Sequence, residues 1–559
     1  MKFLLGNIQW FILILLCICM CAKVEPPGGG PDDKSPPEII SVIPRAGSVN
    51  VSLEPELEIL FSERMKKETT EKAIFILPLL FDYPRFEWSG KKLSIKLPEK
   101  LKENTTYVLT VGALAVDSHG NKLGRTQSFP FSTGQTIYTG SIAGRVLNAS
   151  ARGMDIWAYK LDSPEIGMFW MSIPDYITQT DSLGEFQFEY LSYGIYLVVA
   201  VEDKNNDQFF TPPSEKIALP DTLITIDENA MEYKPLFMIA SELDTLKPYL
   251  SKVESPDDRK VFIEFSQRMD SSSVFLKSNY KIENLEDSIL TVSIVDIYPY
   301  SDDKKTIVLE CPGLVTGNKY RLTAVNLYSI YEIAADTLVQ IFEAGGADTT
   351  SPELIKISPK PGRQALPAGF DIKFMFSESC DTNDITQKVF LSDTLKVPVS
   401  FKIDWEYPNL LVVKPDFQSG EAYLFSMDES SIFDLAGNPL GDSIMIYEYY
   451  TAAEDTFGQV GGQLINYPVD SIIVEAISEN GESTITFSSD NGKFMFNKLF
   501  PGTYVVRAFC DTDNNGQFSC GKIKPFRFAE HIIFHVDSVT VRARWETDIG
   551  VFDFKSSSD

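Results

Sequence analysis

Across residues 36–555 the apolar positions come in short runs interleaved with polar ones, as in Leu57-Glu-Ile-Leu-Phe61, Leu93-Ser-Ile-Lys-Leu97 and Phe494-Met-Phe496. A period of two puts alternate side chains on one face, which is the pattern of a half-buried strand. Gly, Pro, Asn and Asp break these runs about every ten residues, where turns between strands are expected. Outside the N-terminus no segment carries a sustained helical period with caps. The pattern predicts an all-β chain.

The N-terminus departs from this pattern. One Lys at position 2 precedes an apolar run from Ile8 to Cys21, short of the ~20 residues a membrane span needs. That is the form of an export signal, to be set apart from the fold. The following stretch, Ala22 to Pro37, is rich in Pro and Gly and reads as a flexible tether. A signal that ends on Cys and runs into a tether resembles that of bacterial lipoproteins. The resemblance implies cleavage after residue 20, diacylation of Cys21 and an outer-membrane address facing the periplasm or the cell surface. Met20 stands where a small residue is usual and Cys17 and Cys19 are alternatives, so an ordinary cleaved signal is the other reading. Two acyl chains anchor a protein stably where one does not.

Internal repeats set the organisation. Pro37-Glu-Ile-Ile-Ser-Val-Ile-Pro44-Arg-Ala-Gly47 returns as Pro352-Glu-Leu-Ile-Lys-Ile-Ser-Pro359-Lys-Pro-Gly362, and the register holds without a gap to Phe61-Ser-Glu63 and Phe376-Ser-Glu378. A third copy shows Phe265-Ser-Gln267-Arg-Met269. Tyr107, Tyr320 and Tyr423 open matching strands, followed in two copies by Asp117-Ser-His-Gly-Asn121 and Asp434-Leu-Ala-Gly-Asn438. A second kind of unit occurs twice: Gly140, Gly144, Phe186, Phe188, Leu191, Gly194 and Tyr196 match Gly458, Gly462, Phe494, Phe496, Leu499, Gly502 and Tyr504. Calling the two kinds A and B, the order is A-B-A-A-B. The expected map is signal 1–20, tether 21–36, then sandwiches at 37–134, 135–241, 242–347, 348–453 and 454–559. Units of about 100 residues built from short strands imply β-sandwiches, each closing its own core between two sheets.

On these residues unit A resembles the bacterial Ig-like domain of S-layer and other envelope proteins. Its marks are the Pro-Pro-x-Ile opening, the Phe-Ser-x-x-Met element, the Tyr strand and the Asp-x-x-Gly-Asn turn. Unit B is similar to the transthyretin-like or carboxypeptidase-regulatory-like sandwich, through Gly-x-Phe-x-Phe and Leu-x-x-Gly-x-Tyr. The whole plan resembles Ig-like-domain lipoproteins of Bacteroidetes-type bacteria. These folds host many functions, so the resemblance implies architecture rather than activity.

Composition narrows the chemistry. With 50 Lys and Arg against 78 Asp and Glu, the net charge of −28 argues against nucleic acid and anionic membrane as partners. Only three His occur, and no nucleophile elbow, phosphate loop or zinc motif is present. His531 and His535 fall four apart in a strand-like run, without a third ligand nearby in sequence. The expectation is a protein that is not an enzyme.

Three local features carry candidate chemistry. Asp511, Asp513 and Asn515 occupy positions 1, 3 and 5 of a loop with Gly516 at position 6, the front half of a calcium loop. Asp203, Asn205 and Asp207 repeat it without the glycine. Position 12 holds Lys522 or Ser214, which excludes an EF-hand; the alternatives are a calcium site completed from elsewhere and an Asx-rich turn. Cys510 and Cys520 bracket the second loop, as a disulfide or as two thiols. The loop with Phe169, Trp170 and Tyr176 is either a stacking platform for glycan or peptide or packing against a neighbouring domain. The reading is a lipid-anchored envelope stalk or scaffold. A glycan- or peptide-binding module and an accessory that presents an envelope enzyme are its alternatives.

Overall fold

The computed structural model describes residues 34–554 except 149–152, 182, 288–291, 302, 363–364, 384, 468–470, 482, 488–490 and 536. The signal, Cys21 and most of the tether lie outside the described residues. Strands dominate, and no helix among the described residues exceeds five residues. The chain is an all-β tandem array of sandwiches, in two compact units, Met1–Tyr138 and Thr139–Asp559.

The first unit is the first A sandwich. One sheet runs Ile39–Ile43, Leu57–Phe61, Lys92–Lys96, Arg85–Ser89, and the other Ile74–Leu77, Thr106–Val111, Gln127–Ser132. The alternation read from Leu57-Glu-Ile-Leu-Phe61 is the alternation of burial: Leu57, Ile59 and Phe61 are in the core with Leu93, Ile95, Leu109 and Phe131. The repeated Tyr closes a corner in every A copy. Its hydroxyl accepts a backbone N–H five residues upstream, from Lys102 to Tyr107, Val315 to Tyr320 and Gln418 to Tyr423, at 2.7–2.9 Å. The Asp-x-x-Gly-Asn turn has an equally local cause. Asp117 Oδ1 accepts the amides of His119 and Asn121, as Asp434 Oδ1 accepts those of Ala436 and Asn438, while Gly120 and Gly437 take φ of +97° and +95°. In the second A copy Ser329 stands in for the Asp and accepts more weakly from Tyr331 and Ile333.

The second unit begins with the first B sandwich. Its three-stranded sheet places Gly140–Leu147 between Glu185–Leu191 and a parallel partner, Glu232–Ile239. The second B sandwich repeats this with Gly458–Ile465 between Lys493–Leu499 and Glu546–Asp553, again parallel. The glycine repeat follows from close approach. At Gly184 and Gly492 (φ +81° and +77°) a Cβ would sit 2.2 Å from the Val146 carbonyl and 2.3 Å from that of Leu464. The hydroxyls of Tyr196 and Tyr504 donate to the carbonyls four residues earlier, Ser192 and Phe500, so each motif tyrosine pins its own turn.

The second unit is not a linear string, which corrects the stalk expectation for this part of the chain. The second and third A sandwiches meet through a buried charged cluster. The second B sandwich then returns to the first: Phe237 meets Phe534 and Phe169 meets Phe526. Ile523 is buried with Trp157, Phe169, Phe210 and Ile217 of the first B sandwich. Ile239 is buried with Ile473, Phe509 and Ile532. Lys522 and Arg527 both pair with Glu332 of the second A sandwich.

Candidate functional site

The Asp-rich loop of the second B sandwich leaves its central strand, Gly502–Cys510. Asp511 is buried and accepts the amides of Asn515 and Gly516; Asp513 accepts the Asn515 amide and the Ser519 hydroxyl. These bonds are those of an Asx-rich turn. The same fold also gathers a third carboxylate that the sequence reading missed. Glu530 is buried and accepts the amides of Thr512 at 2.6 Å and Ser519 at 3.0 Å. Oxygens of Asp511, Asp513 and Glu530 lie within 4.8 Å of one another, an all-oxygen set suited to a hard cation. Burial pushes the Glu530 carboxyl above its ordinary range and the Asp513 charge adds to this, while the two amides and the Thr512 hydroxyl pull it back.

The first B sandwich builds the same brace. Asp203 accepts the amides of Asp207 and Gln208, and Asn205 accepts that of Asp207. Buried Glu215 accepts from Lys204 and Thr211, the same loop positions that Glu530 holds in the other copy. Gln208 takes φ +63° where Gly516 takes +75°, so the first copy holds a side chain in a left-handed turn. Among the described residues the first loop does not gather three ligating groups as the second does. The two glutamates follow their first Asp at different distances in sequence, and that is why no fixed spacing marked them.

Between the second and third A sandwiches, Lys260 Nζ lies 2.5 Å from Glu378, 2.8 Å from Asp348 and 3.2 Å from Asp257, every one of these side chains at most 9% exposed. Asp434 stands beside Glu378 and Asp348. Burial and the neighbouring Asp348 and Asp434 raise Glu378 to about 7 even though Lys260 draws it down. Lys260 itself is held well above its usual value, its carboxylate partners outweighing burial. Carboxylates around the ammonium hold Lys260 up, while burial and the neighbouring carboxylates outweigh the ammonium at Glu378. Alongside, Ser379 donates to Glu310 at 3.1 Å, and Asn409 Nδ2 donates to the Pro299 carbonyl at 2.9 Å.

Two features left open by the sequence have a definite geometry. Cys510 and Cys520 are free thiols: Cys510 packs into the sandwich core with Val506 and Ala508, whereas Cys520 lies out on the loop beside Ser241 of the first B sandwich. Their sulfurs serve different surroundings, and the loop is braced by Glu530 instead. The aromatic loop is packing and not a platform. Phe169 and Tyr176 are 5% and 3% exposed, and half-buried Trp170 lies edge-on to Phe169, itself against Phe526. The two histidines also part company: His531 Nδ1 bonds Asp221 of the first B sandwich, and His535 Nδ1 bonds the Asp537 carbonyl at 2.7 Å.

Against known proteins, no curated protein sequence matches the chain. Among solved structures the chain is similar to the N-terminal part of the bacterial S-layer protein SbsC, at 13% identity and TM-score 0.17, covering 36% of this chain and 44% of that one. An L,D-transpeptidase from Mycobacterium smegmatis aligns at 16% identity and TM-score 0.15, covering 30% and 76%. BcpA, the major pilin subunit of Bacillus cereus, aligns at 11% and 0.13, covering 75% and 100%. Scores this low carry no argument about arrangement or activity. The family comparison matches residues 33–133 and 348–451 to the bacterial Ig-like domain, so the first and third A sandwiches are similar to that domain.

Proposed function

We propose that the chain is a non-enzymatic scaffold of the bacterial cell envelope, exported, acylated at Cys21 and held at the outer membrane, with its second unit acting as one locked body. The observation that carries the reading is the return of the second B sandwich onto the first, through Ile523, Phe526 and Phe534. A catalytic fold converges polar groups on a cleft; here the buried charged cluster of Lys260, Glu378 and Asp348, with Glu310 and Ser379, joins one domain to the next. Ig-like domains and the Cys that ends the apolar run support a surface address. The partner of such a scaffold is another envelope protein or a glycan. The Asp-rich loops carry the contact residues Phe210, Ile523 and Phe526, so calcium held by Asp511, Asp513 and Glu530 would stiffen the contact, with Asp203, Asn205 and Asp207 as the weaker copy. An extracellular-type affinity fits so partial a ligand set.

Limited proteolysis of the full chain tests this reading. Cleavage near residues 242–249 or 452–457 is expected to leave the fragments associated on gel filtration, more firmly with calcium than with EGTA. Fragments that separate under both conditions would refute the locked body. Palmitate labelling of the wild type, lost in Cys21→Ser, reads the anchor.

A further inference from the structure

The loop and junction clusters leave one group of ligating side chains without a role, and it lies in the first A sandwich. Glu63 follows the strand Leu57–Phe61, and Asp117 opens the Asp-x-x-Gly-Asn turn; the bridge between Met65 and Asp117 holds these segments together. The Asp117 side chain is fully buried, and its Oδ2 takes the Asn121 amide group at 2.9 Å. Its orientation is therefore fixed by the turn. Glu63 lies against it, and half-exposed His119 places Nδ1 at 3.7 Å from Glu63 Oε2 and 4.0 Å from Asp117 Oδ2. Ligand atoms of all three lie within 4.8 Å of one another.

A second observation, independent of this cluster, says what the glutamate of such a pair can hold. The third A sandwich keeps the same two carboxylates, Glu378 and Asp434, aimed by the same turn, and there Glu378 and Asp348 hold a cation, the ammonium of Lys260. In the sequence, Asp33 stands where Asp348 stands in the third copy, though it lies outside the described residues. The second copy has Gln267 and Ser329 at the carboxylate positions. Glu378, the counterpart of Glu63, thus lies on a cation in that copy, with Asp434, the counterpart of Asp117, beside it. In the turn of the first copy, His119 stands where the third has Ala436, which brings an imidazole beside the two carboxylates. An ammonium needs only oxygen acceptors, whereas an imidazole nitrogen beside two carboxylates is a ligand set for a divalent transition metal.

We propose that Glu63, Asp117 and His119 form a binding site for a divalent transition-metal cation of the zinc class. Ligands about 2.1 Å from a tetrahedral ion lie roughly 3.4 Å apart, so the His119 separations of 3.7 and 4.0 Å need to close by about half an ångström. The two carboxylates neutralise the ion, and half-exposed His119 gives it access from solvent. A bound ion ties the Phe-Ser-Glu segment to the Gly-Asn turn, as Lys260 ties the third sandwich to the second.

Calorimetric zinc titration of the full chain, with imidazole resonances followed by NMR, tests the site. With three histidines in the chain, the signals are assignable by single substitution. One equivalent of zinc is expected to bind and to shift the His119 resonance. That equivalent should vanish in Glu63→Gln and in His119→Ala and persist in Asp513→Asn, with the metal-free melting temperatures of the first two close to wild type. Three results would overturn the proposal: no saturable zinc binding, zinc binding unchanged in both Glu63→Gln and His119→Ala, or calcium binding that exceeds zinc and survives His119→Ala.

Discussion

Two contacts organise the second unit, and they are built from opposite materials. The joint between the second and third A sandwiches links neighbours in sequence and is buried, polar and charged, with Lys260 at its centre. The contact between the B sandwiches links segments about three hundred residues apart and is mainly apolar, with Ile523, Phe526 and Phe169. The tether of adjacency already keeps the A sandwiches together, so what the joint requires is a fixed angle, which directional bonds supply. The distant B sandwiches require attraction, which apolar burial supplies without regard to direction. Affinity and orientation are thus assigned to different surfaces.

The sharpest way to break this comparison is to remove the cation. Lys260→Met keeps the volume and leaves Glu378, Asp348 and Asp257 facing one another in a buried site. Removing one partner of a buried pair costs about 3–5 kcal/mol, mostly from the charge left behind. Denaturant unfolding of the full chain should show that loss. Adding Glu378→Gln and Asp348→Asn to Lys260→Met should recover much of it, because the stranded charges are then gone. Equal stability of the single and triple variants would show that the joint is held by something other than the ammonium.

The apolar contact should respond with a smaller and more local loss. Ile523 is 3% exposed, although its own sandwich is not the only surface covering it. Ile523→Ala should cost about 2–4 kcal/mol, the usual range for truncating a buried aliphatic side chain. The loss should appear as separation of the nicked fragments, with the strands of both B sandwiches still protected from hydrogen exchange. Unfolding of the second B sandwich together with its release would place Ile523 in an internal core instead.

The contrast also explains how far the sequence could be read. The repeated Tyr and Asp-x-x-Gly-Asn positions are local: each side chain bonds within about five residues, and so each leaves a motif. The all-β array of sandwiches follows from such marks. Glu530 and Glu215 brace equivalent loops from unequal distances along the chain, so no spacing pointed to them. Lys260 is one lysine among many until the fold brings Glu378 and Asp348 to it. The aromatic loop at Trp170 showed that it needed cover, but nothing in its composition distinguished a ligand from Phe526. What remained illegible was the set of contacts between domains, where each partner's chemistry is ordinary and only the pairing is informative.

The smallest expected effect is a pH dependence shared by the two contacts. His531 pairs with Asp221 across the B sandwiches; burial lowers its pKa, Asp221 raises it further than burial lowers it, and the net value lies above the ordinary 6.5. Its contribution is present in full below that ordinary value and is lost as pH rises through the folded one. Glu378 is raised from 4.5 to about 7, first by burial and then by Asp348 and Asp434. Folding therefore takes up protons between those values, so stability falls as pH rises across that window. Both signs agree, and the second unit should melt lower at pH 8 than at pH 6, by about 2–4 °C for each kcal/mol involved. The two surfaces separate on substitution. Glu378→Gln should flatten the profile toward its acid end, where the A joint titrates. His531→Asn should flatten it nearer neutrality, where the B contact does. A profile that neither variant changes would mean that neither contact senses protons in this range, leaving the division between a directional joint and an apolar clasp to rest on the larger effects of Lys260→Met and Ile523→Ala.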